Sequence, residues 1–315
     1  MSDRPNVYLN NPDALSSVLS SLQLQTEVYV NGEFCGQWAV DTAGSRRIPF
    51  HLIANGRAWL HMEGQPALAL QPGDLLVFPH DNHHILASSP QQPDAALVNA
   101  PLSTAVADEP RTQLICGFFE FRNAAAWPLL DSLAPLMVVH NLGTESRLER
   151  LVALMILELK QQQPGHYAVV NQLALLMFVT LLRQQIESGQ VEQGLLAALF
   201  DRHLAPALAA IHNQPAKPWT LNGLAQIAAL GRSSFARRFQ SLVGVSPMRY
   251  VSQWRMHCAS VQLATGQCSV AQLAEQYGYQ SEAAFRKAFK VVTGTTPGAV
   301  RRRRRTRSDQ GATHG

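Results

Sequence analysis

An internal repeat constrains this chain more than any other feature. Phe235, Phe239, Gly244 and Pro247 recur fifty residues later as Phe285, Phe289, Gly294 and Pro297. In each copy the aromatic pair at i, i+4 lies on one helix face and is followed by a Gly-x-x-Pro stop. A short helix precedes each pair, at 221–228 and at 270–277, set off by the turns Ala229-Leu230-Gly231 and Gly278-Tyr279-Gln280. Two helix-turn-helix units follow, at 221–242 and 270–292. With the phenylalanines inward, Arg232, Ser233, Ala236 and Arg237 face outward in the first unit, and Glu282, Ala283, Arg286 and Lys287 in the second. Such a face fits a major groove, where Arg reads guanine bidentately and Lys or Arg also meets phosphate. The bland alternative is a solvated basic surface, and a second copy with matched stops weakens it. Between the copies, Pro247 to Ala264 reads as one helix, opened by Ser246-Pro247 and closed by Gly266. Its span of about 27 Å is near the one-turn separation of successive groove faces, so it serves as a ruler. Its inner residues, Tyr250, Val251, Trp254, Ala259 and Leu263, read as core.

Charge points the same way. Net charge is only +4, but residues 1–190 hold 10 Lys+Arg against 17 Asp+Glu, while residues 191–315 hold 16 against 5. The second part carries the electrostatic footprint of a polyanion binder, because cations that replace condensed counterions give affinity for any phosphate backbone. Five of those cations form the run Arg301 to Arg305. The longest apolar stretch, Leu173 to Leu182, is about half of a bilayer crossing, and the first residues lack the basic and apolar regions of a secretory signal. The expectation is a cytoplasmic protein with no membrane partner. Four scattered cysteines without a CxxC pair argue against a disulfide scaffold or structural zinc.

From Val28 to Phe121 short apolar or alternating runs recur about every ten residues between turn formers, as in a small β-barrel. The Ser-, Pro-, Ala- and Asp-rich stretch 87–113 reads as a long loop between two strands. Glu145 to Gln163 and His166 to Ser188 then carry apolar residues at helical spacing, broken by Pro164-Gly165. Leu148, Leu151, Val152, Met155, Ile156 and Leu159 share one face of the first helix, and Leu173, Leu176, Met177, Thr180 and Leu181 one face of the second. This hairpin packs on the barrel, or forms a four-helix homodimer interface with a second copy. The predicted architecture is therefore α+β, an N-terminal barrel with a helical hairpin and a C-terminal all-α part of two helix-turn-helix units. Its expected divisions are 1–135, 136–200, 201–302 and a basic disordered tail, 303–315.

At SPMRYVSQWRM (246–256) and LAEQYGYQSEAAFRKAFKVVTGTTP (273–297) the sequence resembles the AraC/XylS family of bacterial transcription regulators, over roughly 203–302. The resemblance implies sequence-specific binding of double-stranded DNA by both recognition helices, through Ser233, Ala236, Arg237, Glu282, Ala283, Arg286 and Lys287. Two positions depart from the pattern: Gly231 replaces the usual Ser-like N-cap of the first recognition helix, and Val300 a closing aromatic. Gly for Ser at a cap loosens a helix by a few tenths of a kcal/mol.

Gly73 to Pro79 followed by Asp81 and His84 resembles the second cupin motif, with Asp81 in place of its usual Gly. The first cupin motif is reduced to His51 in IPFHLIANG. The resemblance implies an effector-sensing cupin-like domain that performs no chemistry. His51 and His84 both point into such a barrel, where they are a hydrogen-bonded pair or two ligands of Cu, Zn or Ni with a third from His83, His61 or a cysteine. Cys35, before the first long strand, and Cys116, in the last, are a redox pair if the terminal strands are neighbours, or else two buried apolar thiols.

Three functions compete. The first is a transcription regulator, an activator that contacts RNA polymerase and responds to a small molecule, metal or oxidant. The second is a metal-dependent cupin enzyme, a dioxygenase or isomerase with a nucleic-acid-binding appendage. The third is a sequence-indifferent nucleic-acid binder driven by the arginine run. An open catalytic metal site needs three protein ligands, and one His per motif favours the first reading.

Overall fold

The computed structural model describes residues 13–100, 111–121, 127–140, 146–266 and 268–302. The chain forms two compact units, one of Leu24–Phe121 with Leu133–Ser188, the other of residues up to Gln23, Arg122–Ser132 and Gly189 onward.

The first unit is a two-sheet β-barrel. Its larger sheet contains β1 (Leu24–Cys35), β3 (Ile48–Asn55), β6 (Leu75–Val77), β8 (Arg111–Phe121) and β9 (Met137–Val139), in the order β1-β8-β3-β6-β9. The smaller contains β2 (Ala39–Asp41), β4 (Ala58–His61), β5 (Leu68–Leu70) and β7 (Ile85–Ala87), in the order β2-β7-β4-β5. Their inner faces enclose a core of Phe34, Trp38, Ile53, Leu60, Leu70, Leu76, Phe78, Leu86, Leu114 and Cys116. The β3 run Ile48 to Ile53 is buried without alternation, because its sheet is covered on both faces. On the outer face Phe50 stacks on Phe119, 4.8 Å between centroids, and Phe119 meets Phe178 of the hairpin at 4.5 Å. Gly117 makes this possible, since a Cβ there would lie 2.5 Å from the Phe50 ring.

The hairpin consists of α3 (Arg147–Gln161) and α4 (His166–Glu187), with the break where Pro164-Gly165 predicts it. α4 packs on β1, and Asn171 accepts a hydrogen bond from the Val28 amide at 2.9 Å. Its 22 residues have the length and apolarity of a membrane span, but Val170, Leu173, Ala174, Met177, Phe178, Leu181 and Leu182 are buried in the unit's own core. Leu176, expected on that inner face, instead is 52% exposed.

The second unit contains α1 (Ala14–Leu22), α2 (Trp127–Leu130), α5 (Gly194–Phe200), α6 (Leu204–Asn213), α7 (Leu221–Ile227), α8 (Arg232–Val243), α9 (Pro247–Thr265), α10 (Val270–Gln276) and α11 (Glu282–Thr293). Two boundaries differ from expectation. α1, expected in the sensor part, packs on α6 through Leu15, Val18 and Leu22, and the Ser17 hydroxyl donates to Asn213 at 2.8 Å. β9, expected with the hairpin, pairs with β6 and extends the larger sheet. Both assignments depend on long-range pairing that local periodicity does not record. The expected tail 303–315 lies outside the described residues, as do 101–110 of the long loop.

Candidate nucleic-acid interface and sensor cavity

Each helix-turn-helix unit is built around its aromatic pair. Phe235 and Phe239 of α8 are fully buried, and Phe239 meets the Tyr250 ring edge-on at 5.6 Å. Phe285 and Phe289 of α11 are buried with Met256, Ala259, Leu263, Leu273, Ala274 and Tyr277. This orientation puts Arg232, Ser233 and Arg237 of α8 in solvent with Ala236 half-buried, and Ala283, Arg286 and Lys287 of α11 in solvent with Glu282 half-buried.

The two units are not identical. The second turn is one residue longer, so Ala229 and Gly278 occupy matching positive-φ positions, at 51° and 75°. Ala229 therefore carries a left-handed strain of about 1–2 kcal/mol that Gly278 lacks. The substitution Ala229→Gly is expected to raise the melting temperature, and an unchanged or lower value would argue against that strain. The first recognition helix starts at Gly231 without a side-chain cap, whereas Ser281 caps the second by accepting from the Ala284 amide at 3.2 Å.

Arginines on these helices have different fates. Arg238 donates through Nε to both Asp201 carboxylate oxygens, at 3.0 and 3.1 Å, and Asp201 also caps α6 at His203 and Leu204. Burial raises the Asp201 pKa, but the Arg238 and amide hydrogen bonds outweigh it and hold the carboxyl below its ordinary value. Arg238 is thus an anchor. Arg286 donates to Glu282 one turn earlier, at 2.8 Å, in an exposed i, i+4 pair worth about 0.3–0.5 kcal/mol, readily exchanged for another acceptor. Arg301 and Arg302 end the described chain, and Arg303 to Arg305 lie outside it.

In the barrel the two predicted histidines do meet. His51 lies on β3 opposite Cys116 of β8, and its Nε2 is 2.9 Å from Nε2 of His84. The Asn82 carbonyl sets the ring protons. His84 Nδ1 faces the Asn82 carbonyl at 2.7 Å and must carry hydrogen, so its Nε2 accepts from His51 Nε2. His51 Nδ1 then accepts from the Cys116 thiol at 3.1 Å. Thr42 Oγ1, 3.2 Å from each Nε2, bridges the pair, and Tyr29 lines the same cleft as Thr42. Burial, then the neighbouring His84, holds the His51 pKa well below 6.5; burial also lowers that of His84. Burial pushes the Cys116 thiol up to about 12. Phe78 stacks on His84 at 3.6 Å, and Asp81, at the position where the cupin motif has Gly, adopts φ 54°.

This donor set does not fit a Cu, Zn or Ni centre. The facing imidazole nitrogens already bond to each other, and a hydroxyl is the third group. Among the described residues no three His, Cys, Asp or Glu side chains converge. His61 bonds to the Ser89 carbonyl, His83 lies 3.3 Å from Asp41, and Cys116 sits on the opposite nitrogen of His51. The redox pairing of Cys35 with Cys116 is also corrected. β1 and β8 are neighbours, but Cys116 pairs with Val30, and Cys35 with Arg111. Five residues of strand put the two cysteines roughly 17 Å apart, beyond the reach of a disulfide. A neutral buried thiol is also a poor target for oxidants.

Above the histidines a cleft of about 380 Å³ opens between Tyr29, Thr42, Ser45, Arg47, Pro49 and Phe118, with the Arg47 guanidinium 3.8 Å from the Phe118 ring. Thr42, which no sequence signal marks, links this mouth to the buried pair.

Comparison with known proteins places both parts. Residues 13–187 match a cupin family and residues 224–303 a helix-turn-helix domain family. An HTH-type transcriptional regulator of Haemophilus influenzae is 30% identical, with 92% of this chain and 98% of that one aligned. An AraC-like transcription regulator of Streptomyces lividans is 31% identical over the same shares. The RCS-specific HTH-type transcriptional activator RclR of Escherichia coli is 26% identical, again with 92% and 98% covered. The chain belongs to the AraC family of DNA-binding transcription regulators, with a cupin domain preceding its helix-turn-helix part.

Proposed function

We propose that α8 and α11 are the two reading helices of an effector-controlled transcription activator, with Arg232, Ser233, Ala236 and Arg237, and Glu282, Ala283, Arg286 and Lys287, at the DNA. The observation that carries this is the duplicated arrangement in which two buried phenylalanines orient each outer face. Arg237 is exposed and not bonded to Asp201 as Arg238 is, which leaves it available to a guanine edge. Replacing it by Ala is expected to cost about 1–3 kcal/mol of discrimination between a selected duplex and a scrambled one. Equal losses on both duplexes would show that it contacts phosphate alone.

The barrel is the effector domain, and a small molecule in the mouth cleft meets Tyr29 and Thr42, the latter bonded to the histidine pair. A satisfied histidine pair supports sensing over catalysis. Activation through RNA polymerase follows the activator named among the relatives, and the cytoplasm is where such a regulator meets its DNA. Leu154, Leu157, Val169 and Leu176 leave large apolar side chains exposed on the hairpin, which suits a homodimer. Sedimentation of the Leu154→Glu variant tests this: an unchanged molecular weight relative to a dimeric wild type rules out the hairpin as the interface.

A further inference from the structure

Arg255 lies midway along α9, the helix between the reading units, and its guanidinium reaches both of them. Nε donates to the Pro215 carbonyl at 2.9 Å and one terminal nitrogen to the Lys217 carbonyl at 2.8 Å. The other terminal nitrogen donates to the Tyr277 carbonyl at 3.4 Å. Pro215 and Lys217 belong to the tight segment that leads into α7. Within it Gln214 O accepts from both the Lys217 amide and the Trp219 indole, and Thr220 then caps α7. Tyr277 ends α10, where the second turn begins. One planar cation therefore joins the start of the first helix-turn-helix unit to the turn of the second, across the helix that separates them.

The arrangement is specific to a guanidinium. Three carbonyls in different directions need the fixed fork of Arg, whereas the single ammonium of Lys cannot serve all three. Among the described residues Arg255 has no carboxylate partner, and its donors serve the backbone. Other ties hold each neighbour to α9 separately: Gln262 donates to the Tyr277 hydroxyl at 3.1 Å, and Tyr250 packs on Phe239. The Arg255 contacts connect the two units through a shared group.

We infer that Arg255 is a positioning residue that fixes the relative placement of α8 and α11, and so sets the half-site spacing this regulator accepts. The inference rests on the two-helix reading above. Two linked modules gain affinity only when the linkage lets both engage, and a looser linkage accepts more spacings while binding each less well. Base contacts within each half-site do not involve Arg255.

The test uses the full chain and duplexes selected from a randomised pool, with the preferred bipartite site, its separate halves, and versions with one base pair inserted or deleted between halves. The expected result for Arg255→Lys is binding to separate halves within about twofold of wild type, a loss of about tenfold on the bipartite site, and a spacing preference reduced to less than about threefold. Unchanged spacing preference overturns the inference, as does an equal loss on half-sites and bipartite site. If wild type itself selects no bipartite site, the two-helix reading fails instead. Should Arg255→Lys be unfolded by circular dichroism, Arg255→Gln is measured in its place. Unfolding of both variants would also overturn the inference, because Arg255 would then support the domain as a whole.

Discussion

Phe285→Ala is expected to destabilise the second helix-turn-helix unit by about 3–5 kcal/mol, the usual result of emptying a fully packed aromatic site. The ring is completely buried, it meets Tyr279 edge-on at 5.5 Å and Phe289 at 5.8 Å, and its neighbours come from three different helices, α9, α10 and α11. No small movement of one helix can close the resulting cavity. A whole domain has only about 5–15 kcal/mol of stability, so the loss removes much of what holds α11 in place. Urea denaturation followed by tryptophan fluorescence measures it directly, and affinity for the selected duplex should fall with it. Phe235→Ala, at the matching position of the first unit, should cost a similar amount. A change below about 1 kcal/mol in either variant would mean that the ring is not the keystone its burial implies.

Sequence periodicity was informative where structure is local and silent where it depends on pairing between distant segments. The aromatic pairs and their Gly-x-x-Pro stops reveal α8 and α11 because a helix places i and i+4 on one face, and the capping residues mark its ends. Pro247 and Gly266 bound α9 in the same way, and the structure extends that helix by a single residue, to Thr265. His51 and His84 were visible as inward-facing strand positions, yet their meeting depends on Thr42 and the Asn82 carbonyl, and a backbone carbonyl has no signature in a sequence. The cysteines show the opposite error. Terminal strands that pair suggest contact, but register decides which residues face each other, and a shift of five positions separates Cys35 from Cys116. Arg238 and Arg255 look like any basic residues of a DNA-binding segment. One is an anchor on Asp201 and the other a clasp on three carbonyls, roles created only when the helices pack.

Stability is expected to fall steadily as pH drops from 6.5 toward 5, because three buried imidazoles and one half-buried imidazole are held in their neutral form. In the barrel these are His51 and His84; in the helical unit they are His212, held to about 3, and His257, held to about 4, both by burial. Above pH 6.5 the groups are neutral in the folded and unfolded chain alike, and full stability is present. Below it the unfolded chain takes up protons that the folded chain refuses, at a cost of about 1.4 kcal/mol per pH unit for each group. The loss continues until pH reaches the folded value, so His212 and His257 contribute well below pH 5, where carboxylates also begin to titrate. Nearby charges only modify this. Asp41 and Asp81 raise the His84 pKa and His83 lowers it, but burial is the largest cause, and His51 is lowered further by His84. Protonating the barrel pair also breaks its wiring, since His51 and His84 have one lone pair between their facing nitrogens and a second proton there leaves two donors 2.9 Å apart. Urea melts of the full chain at pH 7.5, 6.5 and 5.5 should show the decline, and His84→Gln, which retains a polar side chain but cannot titrate, should remove one imidazole's share of the slope. A flat profile between pH 7.5 and 5.5 would mean that these histidines accept protons in the folded protein, and the neutral chain from Cys116 to Asn82 would have to be abandoned.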